Sequence, residues 1–520
     1  MGVTNSNQRT YPVIDVFAGP GGLGEGFASH VAETGARRFK DALSIERDEH
    51  AHSTLLLRHF FRYFPPGQAP EDYYAYLRQE INKDELFRRH PKASKSALST
   101  AVKLSLGPEN REKVSQLIHG ALTKRKDWVL VGGPPCQAYS LVGRSRMQSD
   151  PRFEDDERHF LYREYLQIIA DHSPPVFVME NVKGLLSARV RGEQMINRIL
   201  DDLAEPVSAL RRRGDGLQYN LYSLSQPDVP KSEVDPRSFL VRAEEYGVPQ
   251  ARHRVFILGI RSDIDVRPSV LSPHVAPTVS ETISDLPELR SGLSRQRDSY
   301  EAWSNAIAQL AMLRPTSLCT GSHFSEGVVE RLRKLASQGY TTGGRSSSTY
   351  KLPNASSYAS ISMLGDSRLD VLTGHEARSH MSADLQRYSF ATVFAELNGR
   401  SPKLSDFPES LLPSHRNVEL GREGKMFSDR FRVQMPDSVA TTITSHISKD
   451  GHYFIHYDPK QCRSLTVREA ARLQTFPDNY KFEGPRTAQY HQVGNAVPSY
   501  LAKQIAAVVA DVLDRAGEIA

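Results

Sequence analysis

The sequence predicts an α/β protein with a doubly wound, mostly parallel sheet, and two observations lead to this prediction. Short apolar, β-branched segments alternate with helix-like segments through the first half of the chain. Glycine, cysteine or acidic residues stand directly after several of these segments, where the strands would end. Ligands of doubly wound sheets bind at the carboxyl ends of the strands, so the functional residues are expected there.

Length and composition narrow the class of protein. The chain has 520 residues, enough for two or three domains. No apolar run approaches the roughly 18 residues of a membrane span, and the polar amino terminus resembles no signal peptide, so we expect a cytoplasmic protein without a membrane role. The net charge of +5 permits a nucleic-acid partner without requiring one. Cys136, Cys319 and Cys462 form no disulfide framework or metal pair, so we expect reduced thiols and no catalytic metal.

The first element is a strand at residues 12–17, followed by a glycine-rich turn and a helix that would contain Phe27 and Val31. Glycine lets the backbone approach a ligand closely, as in nucleotide-binding αβ units. The next strand, residues 42–46, ends on Glu46 about twenty positions after the glycines. An acidic residue there typically accepts hydrogen bonds from a ribose, although it could also be a solvent-exposed strand end.

The following elements place a thiol and a carboxylate at strand ends. A charged, helix-prone insertion at about 60–125 precedes a strand at 128–133 and then Cys136. A helix at 155–170 leads to a strand at 176–180 that ends on Glu180. A lone strand-end cysteine is more often structural than catalytic, but the neighbours of Cys136 and the second strand end reverse these odds. The two residues suggest an active site.

The second half of the chain predicts a different organisation. A strand at 254–260 is the last clear one, and residues 270–460 are rich in Ser, Pro, Gly and Arg, which is typical of long loops that carry specificity. Order returns with a helix at 466–474, where Thr466 and Glu469 have capping-box spacing, and a last helix follows Pro498.

Six segments, taken in order, resemble the motifs of the C5-cytosine DNA methyltransferase family. They are residues 15–22 (DVFAGPGG), 133–140 (GPPCQAYS), 180–182 (ENV), 250–254 (QARHR), 468–477 (REAARLQTFP) and 492–498 (QVGNAVP). The resemblance runs from about residue 11 to about 515. It implies a Rossmann-like, S-adenosylmethionine-dependent catalytic domain at 11–270, a smaller target-recognition domain at 271–460 and a return to the catalytic domain at 461–520.

The resemblance implies a DNA (cytosine-5-)-methyltransferase that forms a covalent adduct between Cys136 and C6 of a flipped-out cytosine. The residues that it implies for catalysis are Cys136, Gln137, Glu180, Asn181, Arg252 and Arg254. Those implied for S-adenosylmethionine are Phe17, Gly19, Gly21, Gly22, Glu46, Pro135, Asn495 and Val497. Ser140, Arg144 and Arg146 would lie on a loop that closes over DNA. The acidic residue that the family places on the adenine amine has no well-placed counterpart, and Asp84 is a poorly supported candidate.

Three alternatives stay open at this point. A related enzyme could methylate cytosine in RNA, although the large region at 270–460 favours duplex DNA. A non-catalytic DNA-binding regulator could share the fold, which the presence of Cys136, Glu180 and Arg252 disfavours. We expect a monomer, and one sequence does not distinguish an enzyme that accompanies a restriction endonuclease from one in another phage-defence system or one that acts alone. The recognition sequence cannot be read from loops.

Overall fold

The computed structural model describes residues 9–135, 161–190, 193–210, 216–226, 235–312, 324–353, 358–413 and 428–519. The chain forms two compact units, one from Met1–Val275 with Ala496–Ala520 and one from Ala276–Asn495. The first boundary lies near the expected position at 270–271. Residues 461–495, which we expected in the returning segment, belong to the second compact unit.

An eight-stranded sheet forms the centre of the first unit, in the order β3-β2-β1-β4-β5-β11-β8 with β9 paired to β11. The strands of this unit are β1 (Tyr11–Val16), β2 (Phe39–Glu46), β3 (Ala101–Lys103), β4 (Val129–Gly132), β5 (Val176–Val182), β6 (Arg189–Val190), β7 (Glu193–Gln194), β8 (Tyr219–Tyr222), β9 (Leu240–Arg242), β10 (Gln250–Ala251) and β11 (His253–Arg261). Strands β1 to β5 of the sheet are parallel, and β11 runs antiparallel to its neighbours. The predicted fold class is confirmed.

Helices cover both faces of this sheet. They are α1 (Gly22–Ala28), α2 (Glu49–Arg62), α3 (Glu71–Leu77), α4 (Lys83–Arg89), α5 (Pro91–Thr100), α6 (Arg111–Leu122), α7 (Leu161–His172), α8 (Met195–Ala204), α9 (Pro206–Ala209) and a C-terminal helix (Ser499–Ile519). On one face, α6, α7 and α8 bury Ile118, Ile169 and Ile199 against Ile14 and Val16 of β1. On the other face, α1 packs between the C-terminal helix and β2.

Two local predictions in this unit were wrong. The insertion at about 60–125 is mainly helical, but it also contains β3, which extends the sheet beside β2. This strand is three residues long and directly follows α5, so it shows no alternating pattern. Helix α1 ends at Ala28, so Val31 lies outside it. Three glycines in seven residues give this helix little intrinsic tendency to extend further.

The second unit is mainly helical. Its helices are α10 (Val279–Ile283), α11 (Tyr300–Ala311), α12 (Phe324–Gln338), α13 (Ala359–Ser362), α14 (Ser382–Asn398), α15 (Val467–Leu473) and α16 (Arg486–Asn495), and its short strands are β12 (Gly292–Leu293), β13 (Ser379–His380) and β14 (Ala440–Thr441). Its core packs α11, α12 and α14 around Trp303 and Tyr388. The predicted capping box is confirmed: Thr466 Oγ1 accepts from Glu469 N at 3.2 Å, and Thr466 N donates to Glu469 Oε2 at 2.7 Å.

The segment 486–518 contains the last two helices. Judged by length and composition alone, it is long and apolar enough to cross a membrane. Within the protein, 78% of their most apolar window is buried. This burial is typical of a core helix.

Candidate active site

The direction of the strands brings the predicted catalytic positions to one edge of the sheet. Strands β4 and β5 are parallel, so both end at this edge, whereas the antiparallel β11 begins there. In the register of β5 and β11, Arg254 lies opposite Val182 and Phe256 lies opposite Glu180. Glu180 and Arg254 therefore stand on adjacent strands, although 73 residues separate them in sequence.

Glu180 and Arg254 form an ion pair at this edge. Arg254 Nε donates to Glu180 Oε1 at 3.0 Å, and the two side chains are 15% and 14% exposed for Arg254 and Glu180, respectively. Burial lowers the pKa of Arg254, and the charge and hydrogen bond of Glu180 oppose this shift. The arrangement fixes one carboxylate oxygen and leaves Glu180 Oε2 as a further acceptor.

Arg252 adds a second guanidinium close to this pair. It is fully buried, and burial lowers its pKa well below the ordinary value; the charge of Arg254 lowers it further, while Glu180 opposes the shift. Its backbone N donates to Gln250 O at 2.8 Å, and its backbone O accepts from Ala243 N at 3.0 Å. Two guanidiniums beside one carboxylate give the edge a local excess of positive charge.

The chain that leaves β4 is held against β5. Asn181 is buried, and its Nδ2 donates to Pro134 O at 3.3 Å while its Oδ1 accepts from Val182 N at 2.8 Å. At Gly133 an added Cβ would lie 2.9 Å from Glu180 Oε2. A larger residue at this position would displace the Glu180 carboxylate, because the backbone passes so close to it.

A second part of the edge contains the glycine turn after β1. Phe17 and Gly19 have φ values of 57°, and Gly21 has a φ of 93°. Gly19 N donates to Glu46 Oε2 at 2.7 Å, so the turn is fixed directly to the end of β2. The other carboxylate oxygen of Glu46 accepts from Asp48 N at 2.7 Å.

The C-terminal part of the first unit closes against this turn. An added Cβ at Gly22 would lie 2.4 Å from Val497 O, so no larger residue fits there without a backbone shift. The structure thus brings together Gly19, Gly22, Glu46 and Val497, all predicted as cofactor residues. A left-handed glycine turn beside a strand-end carboxylate fits a ligand that contains a nucleoside.

The comparisons with known proteins agree with this geometry. Residues 108–510 match the model of the C-5 cytosine-specific DNA methylase family. The type II methyltransferase M.Bpa9945I of Bacillus paralicheniformis is 33% identical over 531 residues, covering 96% of this chain and 99% of the relative. The chain belongs to the C-5 cytosine-specific DNA methylase family. It is an enzyme of the DNA (cytosine-5-)-methyltransferase type.

More distant relatives also align over most of their length. The DNA (cytosine-5-)-methyltransferase M.ApeKI of Aeropyrum pernix is 26% identical over 411 residues, covering 74% of this chain and 81% of the relative. A solved structure of the Entamoeba histolytica methyltransferase EhMeth aligns over 97% of this chain and 99% of its own, with 11% identity and a TM-score of 0.43.

Part of the predicted methyltransferase site lies outside the described residues. These predictions concern the nucleophile Cys136, its neighbour Gln137, and Ser140, Arg144 and Arg146 of the DNA-closing loop. Pro135 is the last described residue before them. Asn495 belongs to the second compact unit, where its Nδ2 lies 3.2 Å from His491 Nδ1.

The structure gives no support to Asp84 as the adenine contact of the methyltransferase. Asp84 is exposed in the first turn of α4. On the side away from β1, β2 pairs with β3, where Lys103 is in register with Glu46, and the chain continues there as Leu104 and Ser105.

Sequence reasoning missed a buried ionic network behind the glycine turn. Glu25 of α1 binds both Arg58 and Arg62 of α2. The four-residue spacing of the two arginines places them on one helix face, and this was the available signal. The sequence could not identify their partner, which lies more than thirty positions away.

In the described part of the chain, no group of three or more His, Cys, Asp or Glu residues is arranged to hold a metal ion. The expectation that the methyltransferase uses no catalytic metal stays a prediction.

Proposed function

We propose that the protein transfers a methyl group from S-adenosylmethionine to C5 of a flipped-out cytosine in a specific duplex DNA sequence, through a covalent bond between Cys136 Sγ and cytosine C6. The observation that carries this proposal is the pair of Glu180 and Arg254 at the sheet edge. Asn181, next to Glu180 on β5, holds Pro134 two residues before Cys136. Family membership supplies the reaction class.

The residue types suit the chemistry of this substrate. Cytosine C5 is too poor a nucleophile to accept a methyl group directly, so the Cys136 thiolate adds to C6 and the electron pair of the C5–C6 bond becomes available at C5. Glu180 binds cytosine N3 and the exocyclic amine and assists protonation of N3 during this attack. C5 then takes the methyl group, whose bond to the sulfur of S-adenosylmethionine breaks as S-adenosylhomocysteine leaves. Loss of the C5 proton to a base restores the double bond and expels the Cys136 thiolate.

Arg252 and Arg254 assist both the nucleophile Cys136 and the base-binding residue Glu180. Arg254 would orient Glu180 through the 3.0 Å contact and would bind cytosine O2. The positive charge of Arg252 and Arg254 would favour a thiolate at Cys136, because an electropositive setting lowers the pKa of a cysteine. Gln137 and Asn181 keep the loop around Cys136 in position.

The glycine turn is the proposed binding site for S-adenosylmethionine, which supplies the methyl group on a positively charged sulfur. Glu46 would accept hydrogen bonds from the ribose, and the open backbone at Gly19 would admit the ligand, while Gly22 lets the turn pack closely against Val497. The complete proposed set is Phe17, Gly19, Gly21, Gly22, Glu46, Pro135, Asn495 and Val497.

DNA binding is proposed for the loop that carries Ser140, Arg144 and Arg146 and for residues 271–460 as the target-recognition domain. Flipping the cytosine costs a few kcal/mol, which phosphate contacts would offset. The affinity for DNA should therefore fall with added salt. The Bacillus relative is named a type II methyltransferase, which supports a role in restriction-modification. A role in phage defence, a cognate restriction endonuclease as partner, a monomeric state and a cytoplasmic location are further parts of the proposal.

The test is incubation of the purified protein with labelled S-adenosylmethionine and mixed-sequence duplex DNA, followed by nucleoside analysis. We expect label in 5-methylcytosine with the unmodified protein and none with Cys136→Ala, which should still bind S-adenosylhomocysteine. Methylation by Cys136→Ala would refute the covalent mechanism. Label in transfer RNA alone would refute the DNA substrate.

Cys462→Ala is the matched thiol control. Cys462 is fully buried in the second unit, its Sγ donates to Leu385 O at 3.1 Å, and burial raises the pKa of its thiol far above the ordinary value. Such a cysteine is not a nucleophile. Cys462→Ala should retain methylation at temperatures below its unfolding transition.

A further inference from the structure

The buried network behind the glycine turn has no role in the proposed reaction and is absent from the predicted site. Glu25 Oε1 accepts from Arg58 Nη2 at 2.6 Å, and Glu25 Oε2 accepts from Arg58 Nε and Arg62 Nη2, each at 2.7 Å. Arg62 Nη1 also donates to Asp41 Oδ2 at 2.7 Å. No side chain of the four is more than 6% exposed.

The network connects three elements around the glycine turn, which are α1, β2 and α2. Glu25 belongs to α1, which begins directly after the turn, and Asp41 belongs to β2, which ends on Glu46. Arg58 and Arg62 belong to α2, which follows β2 after a short link capped by Asp48. Arg62 is the central member because it binds a carboxylate of α1 and a carboxylate of β2 with the same guanidinium.

Helix α1 depends on such contacts for its position. It has seven residues, three of them glycine, and an isolated helix of this length and composition is unstable in water. Gly24 faces the network, since an added Cβ would lie 3.2 Å from both Arg62 Nη1 and Asp41 Oδ1. On its other sides α1 meets the C-terminal segment, where added Cβ atoms at Gly22 and Gly26 would clash with Val497 and Ala502.

Stability alone does not account for an ionic network at this place. Buried ion pairs carry a large desolvation cost, and apolar residues of similar size often give equal or greater stability. Directional, bidentate hydrogen bonds fix orientation more strictly than apolar contacts do. Burial would raise the pKa of Glu25, but Arg58 and Arg62 together hold it well below the ordinary value, so the carboxylate is charged and the bonds are charge-assisted.

We propose that Glu25, Arg58, Arg62 and Asp41 are positioning residues for S-adenosylmethionine: they hold α1 and the preceding turn at a fixed place relative to Glu46. In this proposal the 2.7 Å hydrogen bond from Gly19 N to Glu46 Oε2 lies next to the ligand. The buried network fixes the geometry of that hydrogen bond. This inference rests on the proposed function, because it assumes that the turn binds this cofactor.

Glu25→Gln tests the proposal, because the amide keeps the volume of the side chain but removes the charge and one acceptor. The dissociation constant for S-adenosylhomocysteine is measured by isothermal titration calorimetry, well below the melting temperature of each variant. We expect it to rise by about tenfold or more, as misplaced binding groups typically lose affinity on that scale. In turnover, the KM for S-adenosylmethionine should rise while kcat changes by less than about twofold.

Glu469→Gln is the matched control. Glu469 lies in the second unit, also in a seven-residue helix, and accepts from Arg463 at 2.6 and 2.7 Å; both side chains are 1% exposed. It should lose thermal stability as Glu25→Gln does, yet change the affinity for S-adenosylhomocysteine by less than about twofold, as expected for an independent site.

Arg62→Lys is the second variant in case Glu25→Gln does not fold. Lysine keeps the positive charge but cannot bridge two carboxylates with a planar guanidinium, so the affinity should fall again. Unchanged affinity in the folded variants, with only the melting temperature lowered, would overturn the positioning role. If the unmodified protein itself does not bind S-adenosylhomocysteine, the proposed function fails and this role fails with it.

Discussion

Replacing Gly133 by alanine should displace the carboxylate of Glu180, the proposed general acid, without disturbing the fold. The added Cβ would lie 2.9 Å from Glu180 Oε2, whereas ordinary contacts of this kind begin near 3.4 Å. The carboxylate must therefore retreat by about half an ångström. The backbone itself tolerates alanine, because Gly133 is not among the residues with a left-handed φ.

A shift of the Glu180 carboxylate should weaken its ion pair with Arg254. Arg254 Nε lies 3.0 Å from Glu180 Oε1, so any movement that relieves the clash also changes this ion pair. Loss of a hydrogen bond between charged groups costs about 1.5–3 kcal/mol. If the whole loss appears in the transition state, the methyl-transfer rate falls roughly 10- to 150-fold.

The assay is single-turnover transfer of labelled methyl groups to duplex DNA, with the affinity for S-adenosylhomocysteine measured in parallel. The affinity should not change, because the three atoms nearest to the added Cβ all belong to Glu180 and none belongs to the glycine turn. Gly120→Ala is the matched control, since an added Cβ in that helix meets no atom within 4 Å. A Gly133→Ala enzyme that transfers methyl groups within about twofold of the unmodified rate would refute the reasoning.

Two further predictions concern the carboxylate itself and the second unit. Glu180→Gln should lower methyl transfer by about 10²- to 10⁴-fold, the usual scale for a lost general acid, with unchanged affinity for S-adenosylhomocysteine by calorimetry; loss of that affinity would place Glu180 in the wrong role. Burial lowers the pKa of His375 to about 4, with Glu469 opposing and Arg463 adding to the shift, whereas an unfolded histidine titrates near ~6.5. The unfolded chain thus binds a proton that the folded unit does not, so the stabilising contribution is complete above about pH 6.5 and is lost as the pH falls toward about 4. Melting curves at about pH 7.5 and pH 5 should show this fall, and His375→Gln should reduce it; an equal fall in both proteins would contradict the assignment.

The sequence was most informative where a strand is buried on both faces. The segments that form β4 and β5 are continuous and apolar, as expected for central parallel strands. Glu180 could be predicted as a strand-end residue because it directly follows the apolar part of β5. The places of Gly19, Gly22 and Glu46 in the fold could also be predicted, because a glycine-rich turn and a strand-end carboxylate are recognisable from their residue types.

Other features depend on contacts that no local pattern contains. The direction of β11 decides that Arg254 meets Glu180, yet an apolar run has the same appearance in either direction. The hydrogen bond from Asn181 to Pro134 and the ionic network around Arg62 each join residues that are distant in sequence. β3 was missed because three residues are too few to display a period.

The contact of Gly22 and Gly26 with Val497 and Ala502 has a consequence for biosynthesis. Helix α1 is translated before these packing partners. The whole second unit, Ala276–Asn495, must be translated between them. Contacts of such long sequence separation form late in folding, so a nascent chain that has not yet reached Val497 and Ala502 lacks the contacts that pack against Gly22 and Gly26.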